Sequence, residues 1–244
     1  MIRALVFDLD GTLVQTESLK AVSYARAAVE LCPNHLNEEE VIEGFKDVVG
    51  LSRQEVARSL MQHFNLEEGA RARMTEFGVQ TPWQAFIQVR LRIYDELLAD
   101  PQILHDHLCP CNVGLLRYAR GEGFKTGLAT MSYCTQVNRV LEILELKNDF
   151  DFIASRDDVE LGKPDPEVYF LVARQLGVTP SECLVIEDSS SGIKAALAAG
   201  MQCIAVTTDF TRDAVHASEL IDYRWIVDDP AKLQSVAEQI LHER

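Results

Sequence analysis

The chain has 244 residues, enough for one large domain or for one domain carrying an insert. Apolar residues make up 47% and charged residues 25%, and no apolar run approaches the ~20 residues that a membrane-spanning helix needs, so a membrane is excluded as a partner. A formal net charge of −15 argues against nucleic acid, whose backbone needs basic neutralisation; an anionic substrate would need a local basic or metal-bearing spot. The amino terminus enters an apolar segment by Ala4 without a charged lead, and the six cysteines form no C-x-x-C pair. Both features fit reduced thiols and a cytoplasmic location; the sequence leaves the oligomeric state open, with a monomer slightly favoured. Cys109 and Cys111 lie near His105 and His107, but that spacing matches no standard zinc finger.

In chain order, the run Ala4-Leu5-Val6-Phe7 reads as a buried parallel strand, with Asp8 at its carboxyl end, Asp10 two residues later and Gly11 at the turn. About ninety residues of helical periodicity follow, with helices expected over 17–31, 38–48, 53–64 and 83–98. Pro33-Asn34 and Gly50 separate the first three, and 69–78 reads as a short helix or loop. From Cys111 onward strands and helices alternate. Strands are expected over 126–130, 150–154, 183–186 and 203–207, and helices over 113–121, 135–146, 166–176 and 192–199. Residues 223–227 read as an edge strand and 230–241 as a closing helix. The alternation predicts right-handed crossovers and a doubly wound parallel sheet, an α/β fold. Its core comprises residues 1–14 and 108–244, with an all-α subdomain inserted at 15–107.

Three strands end in polar groups: Phe7 is followed by Asp8, Ala129 by Thr130, and Ile186 by Glu187-Asp188. Gly162-Lys163-Pro164-Asp165-Pro166 adds a lysine just before a helix. In open α/β sheets ligands bind outside the carboxyl ends of the strands, so neighbouring strands would bring these groups to one spot. The set suits phosphoryl transfer. Carboxylates hold Mg²⁺, Asp8 can attack phosphorus, Lys163 and the Thr130 hydroxyl neutralise phosphoryl oxygens, and Asp10 can protonate the leaving oxygen. The plain alternative is that Asp8 and Asp10 cap a turn, but two acids closing a buried strand are costly without a cation. Lys163 could likewise be a solvated loop lysine, and Ser189 to Ser191 read best as helix N-caps.

Asp8-Leu9-Asp10-Gly11-Thr12, Thr130, Lys163 in G-K-P-D-P and Glu187-Asp188 in V-I-E-D-S-S-S-G resemble, in order, the four motifs of the haloacid dehalogenase superfamily. The resemblance covers about two thirds of the chain, and the helical insert matches the family's cap type in kind. It implies a HAD-like core with Asp8 as nucleophile and Mg²⁺ ligand. It implies Asp10 as acid/base with its backbone carbonyl on the metal, and Thr130 and Lys163 on the phosphoryl group. Asp188 would complete the metal site, with Glu187 as a ligand or a partner beside it. An acid at position 10 counts against dehalogenation, since the metal-free dehalogenases lack one there.

In the insert, Gly50-Leu51-Ser52-Arg53 looks like the family's cap loop in which arginine holds a sugar's second phosphate, while Ser52 and Glu55 also form a capping box. Thr16 matches the sugar-phosphate mutases of the family, but Gln15 and Lys20 stand where those carry aspartate and histidine. Lys20 either meets a substrate anion or faces solvent. Arg71, Arg73, Arg90 and Arg92 read as surface charges, Trp83 and Phe86 as core. The expectation is a Mg²⁺-dependent phosphatase of a small phosphate ester, of sugar phosphate or phosphoglycolate type. A β-phosphoglucomutase-like mutase and a non-catalytic binding protein are the alternatives.

Overall fold

The computed structural model describes residues 1–32, 36–49 and 51–242; Pro33, Asn34 and Gly50, where the sequence places breaks between helices, lie outside the described residues. The chain divides into two compact units, one of Met1–Gln15 with Leu104–Arg244 and one of Thr16–Ile103.

The second unit is helical: α1 (Thr16–Leu31), α2 (Glu38–Lys46), α3 (Arg53–His63), α4 (Glu67–Ala72), α5 (Met74–Phe77) and α6 (Pro82–Leu97). Local chemistry sets its boundaries. Asn37 caps α2 by accepting the Glu40 N–H, and Ser52 with Glu55 forms the expected box at α3. Gly78, at φ 64°, stops α5 in the left-handed region that favours glycine. The ambiguous 69–78 stretch is thus two short helices. Tyr24 stacks on Phe45 and meets Phe86 edge-on, which ties α1, α2 and α6 together.

One expectation fails here. Arg71 and Arg92 are exposed and Arg73 pairs with Glu30 and Glu76, but Arg90 is buried. Its guanidinium lies 4.9 Å from the Tyr24 ring and 4.3 Å from the Tyr94 ring, and its Nε has no hydrogen-bond partner. Burial holds its pKa below the ordinary arginine value. Position 90 falls in register with the inward residues Phe86, Ile93 and Leu97, and two tyrosine faces make a cation tolerable there.

After α7 (Pro101–Asp106), α8 (Pro110–Gly121) leads into the sheet of the first unit. Strands β1 (Ala4–Phe7), β2 (Lys125–Ala129), β3 (Phe152–Ala154), β4 (Cys183–Glu187), β5 (Gln202–Val206) and β6 (Ile226–Val227) lie in the order β3-β2-β1-β4-β5-β6. Every adjacent pair is parallel. The crossovers run through α9 (Cys134–Ile143), α10 (Glu167–Leu176), α11 (Ser190–Ala198) and α12 (Arg212–Ser218), and α13 (Leu233–His242) closes the chain. Helices α10 and α11 bury the face that carries Ala4, Val6 and Val185, while α8 packs with α13 on the other side. Strand order reverses between β1 and β4, which puts the ligand crevice of such sheets at their carboxyl ends.

The expected edge strand over 223–227 is instead a 3-10 turn, Tyr223–Trp225, followed by the two-residue β6. Helices α7 and α12 were not anticipated, and at six and seven residues each offers too little periodicity to be read. No described helix is long and apolar enough to cross a membrane.

Candidate active site

Register builds the site. Phe7 pairs with Leu128 on one side and Ile186 on the other, so the residues that follow, Asp8, Ala129-Thr130 and Glu187-Asp188, leave the sheet at one level. The Asp8 N–H continues the ladder to the Ile186 carbonyl and the Thr130 N–H to that of Ala154, so both side chains sit on fixed backbone. The chain then turns sharply at Gly11, φ 83°. A Cβ there would overlap the Asp188 carboxylate, so glycine is required both by conformation and by space. Asn112 of α8 pins the same turn through a 2.6 Å hydrogen bond to the Thr12 carbonyl.

Asp8, Glu187 and Asp188 are buried, and among the described residues they form the one group with a ligand oxygen from each within 4.8 Å of the others. Lys163, with a side chain 4% exposed, donates from Nζ to Asp8 Oδ1 at 2.7 Å, Glu187 Oε1 at 2.5 Å and the Ala129 carbonyl at 2.9 Å. Its three N–H groups therefore match three acceptors. Burial pushes the Asp8 carboxyl up to about 8; Lys163 opposes the shift, while Glu187 and Asp10 add to it. Burial works against the Lys163 ammonium, yet Asp8 and Glu187 outweigh that and raise its pKa above the ordinary lysine value.

The consecutive acids Glu187 and Asp188 are not equivalent. Glu187 Oε1 accepts from Lys163 and from the Tyr169 hydroxyl, while Oε2 accepts from the N–H groups of Asp188 and Ser189 and from Ser189 Oγ. Five donors occupy its two oxygens, so although it lies in the acidic group it is engaged in holding Lys163. Gly192, in the first turn of α11, is needed beside it, because a Cβ would run into the Glu187 carboxylate. Ser189 is the N-cap of α11, accepting the Gly192 N–H at 3.1 Å, as the sequence suggested.

Asp10 points its carboxylate to another part of the crevice. Its Oδ2 accepts from Thr130 Oγ1 at 3.2 Å and Ser132 Oγ at 2.6 Å, and its carboxylate lies outside the metal-ligand group. Ser132 was missed from the sequence; a hydroxyl two residues beyond Thr130 was the available signal. Tyr169 was missed as well.

The buried, all-oxygen donors Asp8 and Asp188, the latter packed against Gly11, fit a hard divalent cation such as Mg²⁺. Cys109 and Cys111 with His105 and His107 form no such group among the described residues. The other predicted residues lie in the helical unit. Thr16 is buried at the start of α1, Lys20 pairs with Glu17 at 2.6 Å, Ser52 caps α3, and Arg53 is exposed as its first residue.

Comparison with known proteins agrees with this geometry. The family model for haloacid dehalogenase-like hydrolases matches residues 2–200. A phosphoglycolate phosphatase of Salmonella paratyphi A is 32% identical over 227 residues, 89% of this chain and 86% of that one. A β-phosphoglucomutase of Bacillus subtilis is 28% identical over 207 residues, 84% of this chain and 83% of that one. The crystal structure of CbbY from Rhodobacter sphaeroides with xylulose 1,5-bisphosphate superposes with a TM-score of 0.67 at 24% identity, covering 96% of both chains. The chain belongs to the haloacid dehalogenase-like hydrolases.

Lys163→Met should test the charge balance of the buried group. Removing the ammonium leaves Asp8 and Glu187 without their shared counter-charge, and we expect a loss of about 3–5 kcal/mol in urea-induced unfolding at neutral pH. A loss below about 1 kcal/mol would show that the ion pairs do not support the fold.

Proposed function

We propose that this chain is a magnesium-dependent phosphatase of small phosphomonoesters that works through a phosphoaspartate on Asp8. The observation that carries the reading is the convergence of Asp8, Asp188 and Lys163 in one buried group at the sheet's switch point, with a separately oriented acid at Asp10. Asp8 and Asp188 would hold Mg²⁺ together with the Asp10 backbone carbonyl, with Glu187 anchoring Lys163 beside them. When bound, the cation would neutralise charge on the phosphoryl oxygens.

The chain's own residues account for the proton and bond changes. An Asp8 carboxylate oxygen bonds to phosphorus as the ester P–O bond breaks. Asp10 delivers its proton to the departing alcohol, with Thr130 and Ser132 fixing its carboxyl through Oδ2. Asp10, now ionised, takes a proton from the water that attacks phosphorus, which releases inorganic phosphate and restores Asp8. Lys163 exchanges its bond to Asp8 for one to a phosphoryl oxygen while Glu187 and the Ala129 carbonyl retain it.

The substrate class we favour is sugar phosphates or phosphoglycolate, the chemistry named for the relatives. Arg53, Lys20, Ser52 and Thr16 are our assignment for recognising the part of the substrate beyond its phosphoryl group. The resemblance to a β-phosphoglucomutase keeps a mutase as the competing reading, and the two differ by product. A mutase converts glucose 1-phosphate into the 6-phosphate in the presence of a bisphosphate primer, whereas a phosphatase releases inorganic phosphate.

A panel of phosphomonoesters including p-nitrophenyl phosphate should yield inorganic phosphate with Mg²⁺ present, lose that activity with EDTA and regain it when Mg²⁺ is restored. Silence across the panel would refute the reading and favour a non-catalytic binding protein. Asp8→Asn should lower turnover by at least ~10⁴-fold with the fold intact. Retained turnover would remove Asp8 as nucleophile. Asp10→Ala should slow turnover and accumulate acid-quenchable phosphoenzyme from labelled substrate; a variant as fast as wild type would overturn the acid/base assignment.

A further inference from the structure

Lys163 has a second support that the reaction scheme leaves unused. Tyr169, on α10, is fully buried in the core packed on the sheet, and its hydroxyl donates to Glu187 Oε1 at 3.1 Å. That is the same oxygen that accepts from Lys163. The lysine ammonium also stands 5.2 Å from the centroid of the Tyr169 ring. One side chain thus touches both members of the buried ion pair, with its hydroxyl on the anion and its ring near the cation.

We propose that Tyr169 is a positioning residue for phosphoryl transfer, acting through Glu187 to keep the Lys163 ammonium aimed once its bond to Asp8 has been exchanged. The inference rests on the phosphatase reading above and adds a residue to it. In the substrate-free protein Lys163 is fixed by three acceptors. When Asp8 becomes an acyl phosphate and gives up its bond to the lysine, two protein acceptors remain, and their geometry determines where the third N–H points. The Ala129 carbonyl belongs to the strand and cannot swing. Glu187 is the member whose aim is set by side-chain and backbone hydrogen bonds to its carboxylate rather than by the strand itself. Three of the five donors that fix it bind Oε2, so the Tyr169 hydroxyl is the protein group that shares Oε1 with the lysine. Without it, Lys163 is the one donor of the five left on Oε1, and the carboxylate can turn about its Oε2 bonds toward the ammonium instead of directing it. The hydroxyl also draws off part of the charge on Oε1, which leaves the ammonium better able to interact with a phosphoryl oxygen.

Tyr169→Phe tests this by deleting one oxygen and keeping the ring. With Mg²⁺ present we expect kcat for p-nitrophenyl phosphate to fall about tenfold while KM moves less than about twofold. Orthovanadate mimics the transferring phosphoryl group and should bind about tenfold more weakly, while the affinity for inorganic phosphate falls less than about threefold. In a Glu187→Gln background the same change should have no more than about a twofold effect, since the group through which Tyr169 acts has lost its charge. Tyr169→Leu, which removes the ring as well, should lose more than Tyr169→Phe when both are compared at equal folded fraction. Tyr169→Phe with kcat and vanadate affinity within twofold of wild type, or an equal effect in both backgrounds, would assign the residue to packing alone. Turnover by the wild type tests the phosphatase reading separately, and the vanadate comparison tests Tyr169 even where turnover is absent.

Discussion

A buried ammonium held between two buried carboxylates is the interaction on which the rest of this site depends. Asp8 ends one strand and Glu187 ends its neighbour, and Lys163 arrives from a loop far away in sequence to bond both. Removing any of these charges from water is costly, and neither carboxylate would stay ionised there by itself. With the three placed together the lysine covers part of the negative charge, yet Asp188 beside them leaves the group acidic in sum. The remaining imbalance suits a divalent cation and then a phosphoryl dianion. The upward shift of the Asp8 carboxyl expresses the same imbalance, because burial and the neighbouring acids outweigh the lysine.

Packing around that group is tight enough to dictate residues with no charge at all. Gly11 and Gly192 each give up a Cβ to a carboxylate, one to Asp188 and one to Glu187. The two acids are consecutive, so the chain needs a close turn after β1 on one side and a close helix start after β4 on the other. Ser189 completes the second by capping α11 while it donates to Glu187. Parallel register brings the strand ends level, and these small residues then set the distances between the side chains.

Much of this was legible in the sequence for a simple reason: buried parallel strands are continuous apolar runs, and a carboxylate at the end of one has few structural uses. Asp8, Lys163 and Asp188 come together at the strand ends, and Thr130 bonds Asp10. The division of labour between Glu187 and Asp188 was not legible. Neighbouring residues at a strand end point in different directions, and only the hydrogen-bond count shows that Glu187 is engaged by five donors. Tyr169 was hidden for a related reason, since an aromatic residue on an apolar helix reads as core until its hydroxyl partner is known. Arg90 failed in the opposite sense. Its charge suggested the surface, while its register with Phe86 and Ile93 already placed it inward. The short helices α7 and α12 lacked the two full turns that a 3.6-residue period needs to declare itself.

The hydrogen-bond count also constrains how the site can bind anything. Lys163 has no N–H beyond the three it already donates, so a phosphoryl oxygen can enter its reach only by exchange. Of the three acceptors, the Ala129 carbonyl is fixed in the sheet and Glu187 is held by four further donors. In the reaction proposed above, Asp8 is the partner whose bond is given up, because a carboxylate turned into an acyl phosphate loses the charge that made it a strong acceptor. In that scheme, bonding of phosphorus to Asp8 and transfer of the ammonium to the phosphoryl group would be one coupled event.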